Sequence, residues 1–302
     1  MSFAYHIPVL LQPCIDGLNI RPDGTYVDLT FGGGGHSRAI LEKLGPEGKL
    51  IVFDQDEDAW ENRIDDERVE FVRHNFRYLY RFLKYLDAIP VDGILADLGV
   101  SSHHFDEADR GFSFRFEGDL DMRMSRQNPL TAATILNTYS EEQLTELFRL
   151  YGEVPSARRL VNEIVRFRAG KPFETTSELK EVASKFAPRK DAARFLSQVF
   201  QGLRIQVNGE MDVLKEMLTS TLDVLKPGGR LVIISYHSLE DRLVKNFFRT
   251  GDVAKSEVET NLYGHADVPL KTITRKVVVP SDSEIEQNPR ARSAKLRIAE
   301  KN

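Results

Sequence analysis

The stretch TYVDLTFGGGGHSRAILEKLGP, residues 25–46, decides the fold. Residues 25–31 are largely apolar, β-branched or aromatic, which is a strand signal. Four glycines, Gly32 to Gly35, interrupt it. Residues 36–44 follow at helical spacing, and Gly45-Pro46 is a helix stop. A strand, a glycine loop and a helix in that order let backbone approach a ligand closely and turn free N–H groups toward it. The same alternation continues downstream. KLIVFD (49–54), VEFVRH (69–74) and DGILADLGV (92–100) read as strands, with helical periodicity from about 57 and in FRYLYRFLKYL (76–86). Strand and helix in turn predict a parallel sheet covered on both faces.

The pattern changes after the fourth strand. Residues 105–127 are polar and without a clean period. Ser140 with Gln143 forms a capping-box signature for a helix through Tyr151, and helical stretches follow at about 156–168, 176–186 and 191–205. Alternation resumes with a helix over 208–225, the strand RLVIISYH (230–237) and a helix from Ser238, whose side chain is placed to cap it. TITRKVVV (272–279) and AKLRIAE (294–300) read as further strands. The expected architecture is an α/β core with a six- to seven-stranded, mostly parallel sheet. Residues 1–105 and 206–302 form it, and 106–205 are an inserted all-helical domain.

Composition narrows the function. The 302 residues are 41% hydrophobic and 29% charged, the balance of a soluble globular protein. One cysteine, Cys14, excludes an intrachain disulfide framework and a multi-cysteine zinc site. No metal is implied by the spacing of His, Asp and Glu. The N-terminus lacks a signal-peptide pattern, and the longest aliphatic run, Leu231 to Ile234, is far below the ~20 residues that span a bilayer. A cytoplasmic, reduced environment and no membrane partner are expected. Net charge is −5, yet residues 149–204 carry 12 Lys/Arg against 6 Asp/Glu, and residues 271–302 carry 8 against 4. Basic segments on an acidic chain suit phosphate contacts, and equally suit solvated helix faces.

Carboxylates and polar residues gather at strand ends, where parallel sheets hold ligands. Asp54 lies 20 residues after Gly34, the place for an acid that accepts from ribose hydroxyls. Asp28 precedes the glycine loop, where it disfavours a diphosphate and suits an ammonium or sulfonium centre. S-adenosylmethionine has both charges and a ribose diol, so a methyltransferase is favoured over a nicotinamide-dependent oxidoreductase. Asp97 reads as a cofactor or substrate contact, or as a turn aspartate. His237 reads as a substrate contact or proton shuttle, or as a structural histidine. Arg290 and Arg292 suit phosphate contacts or are ordinary surface residues.

Taken together the segments resemble one family. The stretches are HIPVLL (6–11), DLTFGGGGHSRAIL (28–41), DLGVSS (97–102), GFSF (111–114), LDMRM (120–124), LRIQVNGE (203–210), LKPGGRLVIISYHSLEDR (225–242) and NPRARSAKLRIAE (288–300). They resemble the bacterial small-subunit ribosomal RNA methyltransferase H family, also called MraW. The resemblance implies a class I, Rossmann-like methyltransferase with a helical insertion. It implies N4-methylation of a cytidine in the decoding region of 16S ribosomal RNA, within the small subunit, and a homodimer. By position it implies cofactor contacts at Gly33, Gly34, Gly35, His36, Asp54, Phe76, Asp97 and position 104, with Phe76 beside the adenine. Position 104 is His104 where glutamine is usual, and Tyr236 stands where phenylalanine is usual.

An exocyclic amino nitrogen is a weak nucleophile because its lone pair is delocalised into the ring, so it must be oriented by acceptors. Asp97 and the backbone after it are candidates to hold the amino group. Ser101 or His237 is a candidate to contact the base or take up the proton. Cys14 is not expected to act as a nucleophile. Arg158, Arg159, Arg166, Arg168, Lys171, Arg189, Lys190, Arg290 and Arg292 are candidate RNA contacts. A ribosome-assembly factor with a retained cofactor pocket, or a methyltransferase on another nucleic acid, is the alternative reading.

Overall fold

The computed structural model describes residues 8–99, 108–258 and 268–302. These fall into two compact units. One takes in the residues up to Gly99 and from Met211 onward; the other lies between them and ends at Glu210.

The first unit is built on a seven-stranded sheet. Its strands are β1 (Thr25–Asp28), β2 (Lys49–Phe53), β3 (Val69–Val72), β4 (Val91–Asp97), β5 (Leu225–Ser235), β6 (Leu270–Thr272) and β7 (Lys295–Lys301). They lie in the order β3-β2-β1-β4-β5-β7-β6. Strands β1 to β5 pair in parallel, and β7 runs antiparallel to both β5 and β6. This is the expected Rossmann-like, mostly parallel sheet. Period-two alternation sorts its side chains. Val27, Ile51, Phe53, Ile94, Leu231 and Ile233 join one buried cluster with Leu79, Leu83, Met217 and Phe247. Tyr26, Leu50, Val52, Leu95, Val232 and Ile234 join the other with Cys14, Leu18 and Ile40. The first cluster is roofed by α3 (Leu79–Tyr85), α9 (Glu210–Val224) and α10 (Ser238–Thr250), the second by α1 (Leu11–Leu18) and α2 (Gly35–Leu41). Burial on both faces explains why these strands read as continuous apolar runs.

The second unit has its own core. Helices α4 (Ala132–Thr138), α5 (Glu141–Leu150), α6 (Ala157–Gly170), α7 (Thr176–Ser184) and α8 (Ala192–Asn208) pack around Leu136, Leu144, Phe148, Leu160, Ile164, Phe173, Leu179 and Val199. The Ser140–Gln143 capping box starts α5 as its sequence requires, and a second box, Thr175–Glu178, starts α7.

Three local expectations are corrected. Residues 272–279 do not form a strand; β6 ends at Thr272, and Val278 makes a single bridge to Leu296. Ile273 and Val278 pack against the core, but Arg275, Lys276 and Val279 are exposed, so the run touches the sheet only at points. The helix expected from about 57 is a short 3-10 turn, Asp58–Asn62. The cap of α10 is His237, not Ser238, which is already the first helical residue.

Candidate active site

The candidate site is built from the carboxyl ends of β1, β2, β4 and β5. The glycine loop leaves β1 and is held from beneath. Asp28 is 1% exposed; its Oδ2 accepts from the Ser37 hydroxyl at 2.6 Å and its Oδ1 from the Thr30 amide at 3.1 Å. Burial pushes the Asp28 carboxyl above its ordinary value, while the nearby His36 and the Ser37 hydroxyl act to lower it. Asp28 thus organises the loop through both oxygens. Gly34 caps α2 at φ +75°, a conformation that favours glycine, and a Cβ there would lie 2.9 Å from the Phe31 ring. A Cβ on Gly35 would lie 2.7 Å from Pro8, whereas one on Gly33 meets nothing within 4 Å. Gly34 and Gly35 are therefore glycine for the protein's own packing, and Gly33 is the one with space before it.

Asp54 follows β2 and is half-buried. Its Oδ2 accepts from the Gly32 amide at 2.8 Å, and its Oδ1 accepts from the Asp56 amide at 2.8 Å. The next strand end is tied to it: Asn75 donates to Gln55 Oε1 at 2.7 Å and accepts from the Arg77 amide, fixing the 3-10 turn that carries Phe76. Asp54 and Phe76 so follow neighbouring strands, β2 and β3.

Asp97 ends β4. Its amide donates to Thr30 Oγ1 at 2.7 Å, which locks β4 to the loop. The Tyr236 hydroxyl, from the end of β5, donates to Asp97 Oδ1 at 2.8 Å. Oδ2 lies 3.9 Å from His36 Nδ1, and His36 Nε2 donates to the Val9 carbonyl at 3.0 Å. A carbonyl can only accept, so Nε2 carries a proton, and Nδ1 is the ring atom that faces Asp97. Burial pushes the Asp97 carboxyl up to about 6, opposed by His36 and the Tyr236 hydrogen bond. Tyr236 is held far above its ordinary value by burial and by the Asp97 charge. The Cys14 thiol beneath is raised by burial, then by Asp97 and Asp28, so it stays protonated and unreactive.

His237 is turned into the fold. Its ring is 7% exposed, its Nδ1 accepts from the Glu240 amide at 3.4 Å, and Nε2 lies 3.1 Å from Glu240 Oε1. Glu240 returns the cap by accepting from the Tyr236 and His237 amides. Of the two readings of His237, the structural one is seen in its capping of α10. Ser101 and His104 lie outside the described residues. Sequence reasoning missed Thr30, Ser37 and the Tyr236 hydroxyl; only the departure from phenylalanine at 236 signalled the last.

The candidate RNA contacts separate into two sets. Arg158, Arg159, Arg166, Arg189, Lys190, Arg290 and Arg292 are exposed. Arg168 is not available as expected: its guanidinium donates at 2.7 Å to the carbonyls of Leu136 and Tyr139 at the end of α4. Lys171 is paired with Glu178.

Residues 3–302 match the model of the MraW methylase family. The chain belongs to the MraW methylase family. It is 57% identical over 300 residues to the ribosomal RNA small subunit methyltransferase H of Bacteroides thetaiotaomicron, covering 99% of this chain and 98% of that one. It is 56% identical over 300 residues to the protein of the same name from Flavobacterium johnsoniae, covering 99% of each. Membership fixes the class of reaction, and the residues here fit the methyl donor S-adenosylmethionine. Asp54 is a carboxylate of the kind that accepts from a ribose diol, Phe76 is an aromatic ring after the next strand, and Gly33 allows close backbone approach. Two buried carboxylates, Asp28 and Asp97, give the region the negative character that an ammonium and a sulfonium require.

Proposed function

We propose that this protein methylates the N4 amino nitrogen of a cytidine in small-subunit ribosomal RNA. The observation that carries the reading is 57% identity, over essentially the whole of both chains, with a relative named for methylation of that RNA. S-adenosylmethionine supplies an electrophilic methyl group when bound. Asp54, Gly33, Gly34, Gly35, His36 and Phe76 hold it, and Asp97 stands where the donor and the acceptor base meet. The Asp97 carboxylate accepts a hydrogen bond from the amino group, which orients a nitrogen whose lone pair is otherwise drawn into the ring. Tyr236 fixes Oδ1, and His36 lies beside Oδ2, so the carboxylate is held in one orientation at the strand end. A raised carboxyl pKa makes that acceptor more basic than an ordinary aspartate, which assists departure of the amino proton.

The helical unit is a substrate-recognition domain, with exposed Arg158, Arg159 and Arg166 on α6 and Arg189 and Lys190 before α8 contacting phosphates. Arg290 and Arg292, on the sheet unit, are further phosphate contacts of their own. The substrate is the assembled small subunit, where the target base is turned out of its stack. The working location is the cytoplasm, and a homodimer is the assembly state. Calorimetric titration with S-adenosylhomocysteine and with NADH, on the protein and on Asp97→Ala, tests the reading. Tight binding of S-adenosylhomocysteine alone is expected. Unchanged turnover with normal cofactor binding in Asp97→Ala would remove Asp97 from the reaction.

A further inference from the structure

The segment that follows Phe76 carries a surface that the reaction does not use. Residues 71–86, FVRHNFRYLYRFLKYL, contain four Arg/Lys, one His and six aromatic residues, and no Asp or Glu. Helix α3 divides them by face. Leu79 and Leu83 are fully buried, and Phe82 packs against the same core. Tyr78, Tyr80 and Tyr85 face outward at 36%, 40% and 84% exposure. Tyr78, Arg81 and Tyr85 follow at i, i+3 and i+7 and so share one stripe; Tyr80 and Lys84 at i, i+4 share the next. The cations lie over the rings: Arg81 is 5.6 Å from the Tyr78 centroid and Lys84 is 5.8 Å from that of Tyr80. Arg77 is engaged by Glu216 through two contacts and Arg73 lies over the Trp60 ring at 5.2 Å, which leaves Arg81 and Lys84 as the cations of the helix face.

Exposed rings alternating with cations are the chemistry that binds single-stranded nucleic acid. Bases stack on the rings and phosphates meet the charges. We propose that the outer face of α3 is a stacking platform for single-stranded RNA next to the methylated base; this rests on the functional reading above. Position supports it, because the strip starts at the strand end that carries Phe76, which the Asn75–Gln55 hydrogen bond ties to the Asp54 strand. Charge complementarity excludes the simplest competitor. A second copy docking symmetrically by this face would set Arg81 and Lys84 against their own like charges. Every aliphatic side chain of the helix points inward, so the face offers a bilayer no insertion.

The test uses the full chain and a fluorescein-labelled single-stranded oligoribonucleotide of about 12 nucleotides, read by anisotropy. Tyr78→Ala/Tyr85→Ala is expected to raise Kd about tenfold or more. Arg81→Ala/Lys84→Ala, which leaves the rings in place, is expected to lower the slope of log K against log salt by about 1.4. The same oligonucleotide in a duplex is expected to show neither effect, and S-adenosylhomocysteine affinity stays at the parent value. Parent-like RNA affinity in both double variants overturns the platform while leaving the enzymatic reading intact. A parent protein that binds neither RNA fails the functional reading and the platform with it.

Discussion

Asp97→Asn is expected to make the protein more stable and less able to bind its cofactor. The Asp97 carboxyl sits near 6, against ~3.9 for an unperturbed aspartate, a difference of about two units or about 3 kcal/mol. The sign follows from which state holds the proton. Below pH ~4 the carboxyl is protonated in both folded and unfolded chains and costs nothing. As pH rises from ~4 to ~6 the unfolded chain ionises first, so the folded state loses stability. Above ~6 the penalty is constant. Asparagine removes the charge and keeps the size: its Oδ1 accepts from Tyr236, and its Nδ2 takes the place of Oδ2 beside His36 Nδ1. At pH 7 the variant should gain up to about 3 kcal/mol, or about 6 °C in Tm at ~2 °C per kcal/mol for a chain of this size. At pH 4 the gain should vanish. Thermal unfolding across pH 4–8, with S-adenosylhomocysteine titration, reads both effects. A variant less stable than the parent at pH 7 would refute the reasoning, because it would mean that the neighbours of Asp97 stabilise its charge by more than burial penalises it.

The glycine loop separates packing from ligand contact. Gly34→Ala must adopt positive φ and displace the Phe31 ring, so urea denaturation should show a loss of about 2 kcal/mol. Gly33→Ala meets nothing, so it should fold like the parent while its S-adenosylhomocysteine affinity falls; unchanged affinity would take Gly33 out of the site. His237→Asn keeps a side chain that caps helices well and should retain turnover, whereas His237→Ala should lose about 1 kcal/mol; loss of methyl transfer in a stable His237→Asn would restore a chemical role. Arg168→Ala strands two carbonyls at the end of α4 and should cost about 2–3 kcal/mol. Arg158→Ala should leave stability within about 0.5 kcal/mol and weaken RNA binding.

The strand ends were legible because local rules agree there. Residues 25–28, 49–53 and 91–97 are apolar runs buried on both faces, and each is followed by an acid where pairing stops. The Ser140 capping box was legible because donor and acceptor are three residues apart in the chain. The Tyr236–Asp97 hydrogen bond was not, since 139 residues separate partners that only the β4–β5 pairing brings together. His237 was misread because serine is the commoner cap and stands next to it. Arg168 is written in the same letters as Arg166. Only the packing of α6 shows that one satisfies a helix end and the other faces solvent at 84% exposure. The β-branched run at 276–279 carries strand propensity, yet only Val278 both packs on the core and bridges β7, and propensity alone does not make a strand.

The central claim is chemical, and nucleoside analysis tests it most directly. Labelled S-adenosylmethionine would be given to the protein with unmodified small ribosomal subunits, naked 16S RNA or DNA. N4-methylated cytidine in the small subunits, absent from DNA and abolished by Asp97→Ala, is the result expected. Label in another nucleoside, or no transfer to any acceptor by a protein that still binds S-adenosylhomocysteine, would contradict the account.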